Sequence, residues 1–186
     1  PVVVYDEAGS FAASRAWWVL RWAGLDARVL DGGIDAWTAQ NRPMTSGDTG
    51  VRPVVLQVVT GQLPTIDADG AAGFDGTLMD ARAPERYRGE TEPIDLVAGH
   101  IPGAVNVPVA QFFAADGRLP DDARLRELLD DRPAPLAAYC GSGVSAAQLV
   151  LAGASIDRPI ALYPGSWSAW SSDPARPVAT GESEPA

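Results

Sequence analysis

Two separated stretches of the chain share one pattern: "VVYDEAGSFAA" at 3–13 and "AAYCGSGVSAA" at 137–147. Each is an apolar run ending in Tyr, then a small-residue turn, then an alanine-rich helix start. A chain that passes twice from a β-rich run through a turn into a helix is steered towards a parallel α/β sheet. The surroundings repeat too. After the first turn, Arg15, Trp18 and Arg21/Trp22 recur at spacings of three and four and predict a helix over 10–23, stopped by Gly24. A strand over 27–30 comes next, and Asp31-Gly32-Gly33 turns into a short helix carrying Trp37. The later stretch predicts a strand over 136–139, a helix over 144–151, a stop at Gly153, a strand over 160–162, and a turn at Pro164-Gly165 into a helix over 166–170. "LDGGIDAW" (30–37) aligns with "YPGSWSAW" (163–170). Tyr5 and Tyr139 lie 134 positions apart, and Trp37 and Trp170 lie 133 apart. Two anchors with nearly one offset argue for duplication.

Only the later copy has upstream material of its own. It reads as a strand over 77–80, a short helix over 84–87 opened by Pro84, the turn and strand of "AGHIPGAVNVP" (98–108), and a helix over 121–131 with acidic residues at its start. Shifted back by 134, its counterpart falls before residue 1. The expectation is therefore the second half of one domain at 1–40, a linker at 41–73, a complete domain at 74–180 and a tail at 181–186. Within the linker, rich in Pro, Gly, Thr and Asp, 52–60 is expected as a strand packing along the domains. Pro1 stands directly in an apolar strand, so the natural N-terminus is expected further upstream.

Charge and cysteine usage narrow the function classes. The net charge of −10 disfavours nucleic acid and anionic membranes. No run approaches the roughly 18–20 apolar residues of a membrane span. A single cysteine cannot close an internal disulfide, and no secretory signal is visible, so a cytoplasmic location is the default expectation.

That cysteine, Cys140, stands where the first copy has Asp6. A thiol at the end of a strand, followed by Gly-Ser-Gly and a helix start, has a specific physical meaning. Glycines let the backbone curl so that successive N–H groups form an anion nest, and the following helix adds its positive end. Both favour the thiolate, which is only about 3% of a free thiol at pH 7. The bland alternative is a small buried hydrophobe before an ordinary turn. A cysteine phosphatase needs an arginine six positions after the cysteine to clamp phosphate, and Ala146 stands there. Nucleotide binding has no support, because neither GxGxxG nor a P-loop occurs.

Several segments together resemble the two-domain sulfurtransferases of the rhodanese superfamily, and among them those acting on 3-mercaptopyruvate or thiosulfate. "CGSGVSAA" is similar to the cysteine loop of the mercaptopyruvate enzymes. "DARAPERYRGETEPID" (80–95), "GHIPGAVNVP" (99–108) and "YPGSWSAW" (163–170) resemble the catalytic domain. "YDEAGSFAASRAWWVLRWAG" and "VLDGGIDAW" resemble the second half of the inactive domain. The resemblance implies a rhodanese-like parallel sheet flanked by helices, in tandem domains with the N-terminal one truncated. It implies that Cys140 takes a sulfur from a small anionic donor as a persulfide and passes it to cyanide, a thiol or a thioredoxin-like protein, with no metal or organic cofactor. It makes Ser142 the loop serine that assists the cysteine and Arg86, in "ERY", the donor-binding arginine. The amides of Gly141, Gly143, Val144, Ser145 and Ala146 would stabilise the thiolate, the persulfide and the developing charge.

Two departures stand out. The mercaptopyruvate enzymes often carry a second donor-binding arginine before "GHIPG", and this chain has none between Arg88 and His100. Thiosulfate-preferring relatives favour basic residues after the cysteine, where this chain has Gly141 and Ser142. The histidine and aspartate sometimes invoked as the cysteine's partners belong to the absent half-domain, which a second polypeptide could complete.

The remaining candidates read as structural. His100, the only histidine, sits in a turn where it is expected to fix backbone. Trp17, Trp18 and Trp22 are expected in a core or domain interface. Asp80 reads as a turn residue, Arg82 as a second, weaker anion-binding candidate, and the acidic cluster over 121–131 as a solvated helix. The rival from another class is a non-catalytic rhodanese-like module for sulfur carriage or protein contacts.

Overall fold

The computed structural model describes residues 1–7, 9, 11–48, 50 and 53–182. A first unit runs β1 (Val2–Val4), α1 (Phe11–Trp22), β2 (Ala27–Val29) and α2 (Gly33–Ala39). The second runs α3 (Ala68–Ala72), β3 (Thr77–Asp80), α4 (Pro84–Tyr87), β4 (Val105–Asn106), a 3-10 turn at Val109–Phe112, α5 (Asp122–Leu129), β5 (Leu136–Tyr139), α6 (Ala146–Ser155), β6 (Ile160–Leu162) and α7 (Ser166–Ser171). The named strands pair in parallel, β1 with β2 and a four-stranded sheet in the order β4-β3-β5-β6, and one isolated antiparallel bridge joins His100 to Ala179. No helix among the described residues is long and apolar enough to cross a membrane.

The alternation of a strand explains how the sheet sorts its side chains. Leu136, Ala138 and Cys140 join Met79, Leu149 and Leu162 in one apolar cluster, while Ala137 and Tyr139 join Leu78, Trp167 and Trp170 in the other. Each fully buried Leu here contributes about 1.5–3 kcal/mol of apolar transfer. Trp17 and Trp18 of α1 belong to the first cluster together with α6, so the two units share one core. The tryptophans are interface packing, as expected, with Trp18 stacked on Trp22 at 6.0 Å between ring centroids.

The two strand pairs have matching hydrogen bonds. Val2 faces Ala27 as Leu136 faces Ile160. The Leu30 amide reaches the Val4 carbonyl as the Tyr163 amide reaches that of Ala138. The Ile34 amide donates to the Asp6 carbonyl at 2.8 Å, and the Trp167 amide to that of Cys140 at 2.9 Å. Asp6 and Cys140 thus hold equivalent places, each locked to the second helix after it.

Two expectations in the 41–73 region change. The described part of the expected 52–60 strand, from 53 onwards, forms none: its only backbone bond is from the Val59 amide to Ala23, at 3.1 Å. A β-rich composition does not make a strand without a partner edge. Arg52 lies outside the described residues. Farther on, Ala68–Ala72 is a helix capped by the Asp67 carboxylate, which accepts from the Gly70 amide at 2.8 Å.

Candidate active site

The segment from Cys140 to Ala146 links β5 to α6. Gly143 adopts φ +78°, and a Cβ there would lie 2.6 Å from the Pro164 carbonyl oxygen, so both conformation and space demand glycine. The bend carries the Gly143 amide back onto the sulfur, where it donates to Cys140 Sγ at 3.1 Å. The amides of Gly141, Ser142, Val144, Ser145 and Ala146 find no acceptor among the described residues. Five free donors and one already on the sulfur make a nest shaped for an anion. Cys140 is anchored from behind, its amide donating to Ser166 Oγ at 3.1 Å, and the residue is 1% exposed.

Arg86 stands on the Gly141 side: its terminal nitrogens lie 3.6 Å from where a Gly141 Cβ would be. One Nη donates to Glu92 at 2.5 Å, while the buried Nε has no partner among the described residues. Glu92 also takes Arg82 Nη1 at 3.2 Å and the amides of Ile94 and Asp95. Burial pushes its carboxyl up, but the bonds from Arg86 and those amides outweigh this and hold it below the usual carboxylate range.

Arg82, the weaker anion-binding candidate, has every guanidinium nitrogen already engaged. Its guanidinium is shared by Asp80, with contacts of 2.7–3.1 Å, Glu92 and the Gly99 carbonyl, and it lies over Trp167 at 4.8 Å. With its side chain 1% exposed, it is a closed structural ion pair. His100 is structural as well: Nδ1–H donates to the Tyr87 carbonyl at 2.8 Å and the ring stacks on Tyr87 at 3.8 Å. Burial lowers its pKa, the Tyr87 carbonyl opposing this in part. Ser142, the expected assistant, is exposed and forms no hydrogen bond to the sulfur.

A residue whose sequence context marks only helix spacing also reaches the loop. Arg15, from α1, directs Nη1 at the Gly143 carbonyl at 3.5 Å. It forms one wall of a cleft of about 870 Å³ between the units, opposite Tyr163 and Pro164. Gln148 of α6 donates to the Gly9 carbonyl at 2.5 Å, a second tie between the units. The signal for Arg15 is its place in the helix equivalent to the one after Cys140, but contact across 128 positions is not legible in local pattern.

The sequence matches the Rhodanese-like domain family over residues 1–40 and 66–173. The chain belongs to this family. It is 46% identical over 193 residues to the Mycobacterium tuberculosis protein named "Putative thiosulfate sulfurtransferase SseB", covering 97% of this chain and 67% of that one. It is 46% identical over 196 residues to the "Probable 3-mercaptopyruvate sulfurtransferase" of Pseudomonas aeruginosa, covering 97% and 68%. Among solved structures, the rhodanese fold of SseA from Escherichia coli, described as a 3-mercaptopyruvate sulfotransferase, matches with a TM-score of 0.75 at 30% identity, over 89% of this chain and 66% of that one. A chain of EanB solved with ergothioneine gives a TM-score of 0.86 at 22% identity, over 97% and 51%, and speaks for the rhodanese-like fold alone. This chain thus spans about half the length of EanB and about two thirds of the two curated relatives.

Proposed function

We propose that this rhodanese-like chain is the sulfur-carrying part of a sulfurtransferase, with Cys140 as nucleophile. The observation that carries this reading is the loop: one amide on Sγ and five neighbouring amides without acceptors among the described residues, around the chain's only thiol. The Cys140 thiolate attacks the outer sulfur of a small anionic donor. An S–S bond forms, and the bond from that sulfur to the rest of the donor breaks. Thiosulfate leaves its electron pair on sulfite. 3-Mercaptopyruvate leaves it on the enolate of pyruvate, which takes up a proton. The persulfide then gives its outer sulfur to cyanide, to a small thiol or to a thioredoxin-like protein, and Cys140 returns as thiolate. Donors in the loop stabilise the negative charge on sulfur at each stage.

Arg86 holds the donor's carboxylate or sulfonate, using the Nε edge that Glu92 leaves free. Ser142 serves at the rim, touching the donor or its leaving group instead of the sulfur. The CGSGV loop favours 3-mercaptopyruvate over thiosulfate.

The experiment is sulfur loading followed by mass spectrometry, with each donor in turn. A gain of about 32 Da, one sulfur atom, is expected on the wild-type chain and not on Cys140→Ser, with faster loading from 3-mercaptopyruvate. A chain that no donor loads at Cys140 overturns the reading. Loading without turnover to cyanide or a thiol leaves instead the rival role of a sulfur carrier.

A further inference from the structure

We infer that Arg15, supplied by the first unit, is a positioning residue for the Cys140 loop, pinning the Gly143 carbonyl and setting a positive charge beside the anionic sulfur. The inference rests on the reading of Cys140 as the nucleophile, and the geometry comes from the other unit of the fold. Gly143 is held on three sides. Its amide faces Sγ at 3.1 Å, its α-carbon abuts the Pro164 carbonyl, and its own carbonyl faces Arg15 Nη1 at 3.5 Å. At 3.5 Å the last contact is at the edge of hydrogen bonding, so charge acting on the carbonyl dipole dominates it. The guanidinium is fixed by lying over the Trp18 ring at 4.8 Å.

Arg15 differs from Arg82 and Arg86, the other arginines near the Cys140 loop, in lacking a carboxylate. Among the described residues it forms no ion pair, although it is half-buried. Burial pushes the guanidinium down from its ordinary range, and the opposing influence is negative charge on Cys140. Asp67 and Tyr163 line the same cleft as Arg15, but the Asp67 carboxylate caps α3 through the Gly70 amide at 2.8 Å and burial drives the Tyr163 hydroxyl towards the neutral form. Arg86, on the Gly141 side, is bound to Glu92, and Asp80 and Arg82 close on one another. Tyr139 accepts from the Ile101 amide at 3.1 Å, and burial drives its hydroxyl towards the neutral form. Helices α6 and α7 carry no ionisable side chain. The cation without a carboxylate and the sulfur in its nest are therefore complementary, and the cation comes from the first unit.

Alkylation of Cys140 by iodoacetamide across pH 6–10 tests this on the full chain. It requires no sulfur donor, so its outcome is independent of the donor experiment above. Arg15→Met and Arg15→Gln are expected to slow alkylation at pH 7 by about three- to tenfold, the effect of losing one nearby charge, with the alkaline plateau unchanged. Arg15→Lys keeps the charge and is expected to stay within about twofold of wild type. Arg21→Met, on the same helix but exposed and facing Asp26 at 3.8 Å, is the control without effect. Neutral variants that retain the wild-type profile, or that lower the rate equally at every pH, overturn the proposal. Should Arg15→Met not fold, the glutamine variant decides in the same way.

Discussion

Asp6 shows what the first unit does with the place that Cys140 holds in the second. Its carboxylate turns onto the start of α1 and accepts from the Ala12 and Ala13 amides at 2.6 and 2.8 Å. A built-in anion therefore fills the helix N-terminus where the second unit keeps its loop amides open. The difference between the units is one of occupancy as much as of a sulfur atom. Keeping the loop open depends on Gly143, whose φ of +78° aims the amide at Sγ. Gly143→Ala meets both a left-handed backbone cost of about 1–2 kcal/mol and a Cβ placed 2.6 Å from the Pro164 carbonyl. The expected result is a destabilisation of about 2 kcal/mol or more in urea unfolding and at least a roughly tenfold slower alkylation of Cys140 at pH 7. An equally reactive and stable alanine variant would show that the bend does not set the sulfur's environment.

At the scale of elements, the strands were the most legible part of the sequence. Runs over 77–80, 136–139 and 160–162 coincide with β3, β5 and β6, because short apolar runs closed by Asp, Tyr and Pro leave little room for another boundary. Helix α6 starts at Ala146, two residues later than the pattern implies, because the bend at Gly143 leaves Val144 and Ser145 in a turn. The site was legible as a loop but not as a charge network. "DAR" and "ERY" display arginines, and only the fold shows that Arg82 is spent on Asp80 while Arg86 keeps a free edge. Glu92, between them, is unreadable in sequence because nothing local marks a carboxylate that folding will bury to 4% exposure. Its removal tests the network. Glu92→Gln is expected to cost about 3 kcal/mol, the lower end for breaking a buried ion pair, since Arg82 keeps Asp80. The pH dependence has a definite sign. A carboxyl held below its unfolded value of about 4.3 stabilises the fold above that pH. The contribution is lost as pH falls through the lower, folded value. Urea unfolding from pH 7 down to pH 3 should show an acid loss in the wild type that is smaller in the glutamine variant. Parallel curves for the two proteins would remove Glu92 from the acid response.

Over the whole molecule, the chain connecting the units is held far less firmly than the units are held to each other. Among the described residues from 44 to 58 no backbone hydrogen bond forms, and Val54, Val55, Leu56 and Val58 are 57–99% exposed. By contrast, α1 packs on α6 through Trp17 and Trp18, and Arg15–Gly143 and Gln148–Gly9 bridge the same seam. Exposed, unbonded backbone is where proteases act first, so elastase, which cuts after small aliphatic residues, should nick between 54 and 59 before any site in 66–173. Because the seam outlasts the cut, the two fragments should co-elute on size exclusion. Cys140 in the nicked complex should then alkylate at pH 7 as fast as in the intact chain, with Arg15 still in place. Trp17→Ala removes a large buried side chain from the seam, at about 3–5 kcal/mol. In that background the nicked fragments should separate, and the larger one should alkylate at the slower rate of Arg15→Met. Fragments that part without the mutation, or a separated larger fragment with undiminished rate, would show that the Cys140 loop is self-sufficient and that the first unit is a passive neighbour.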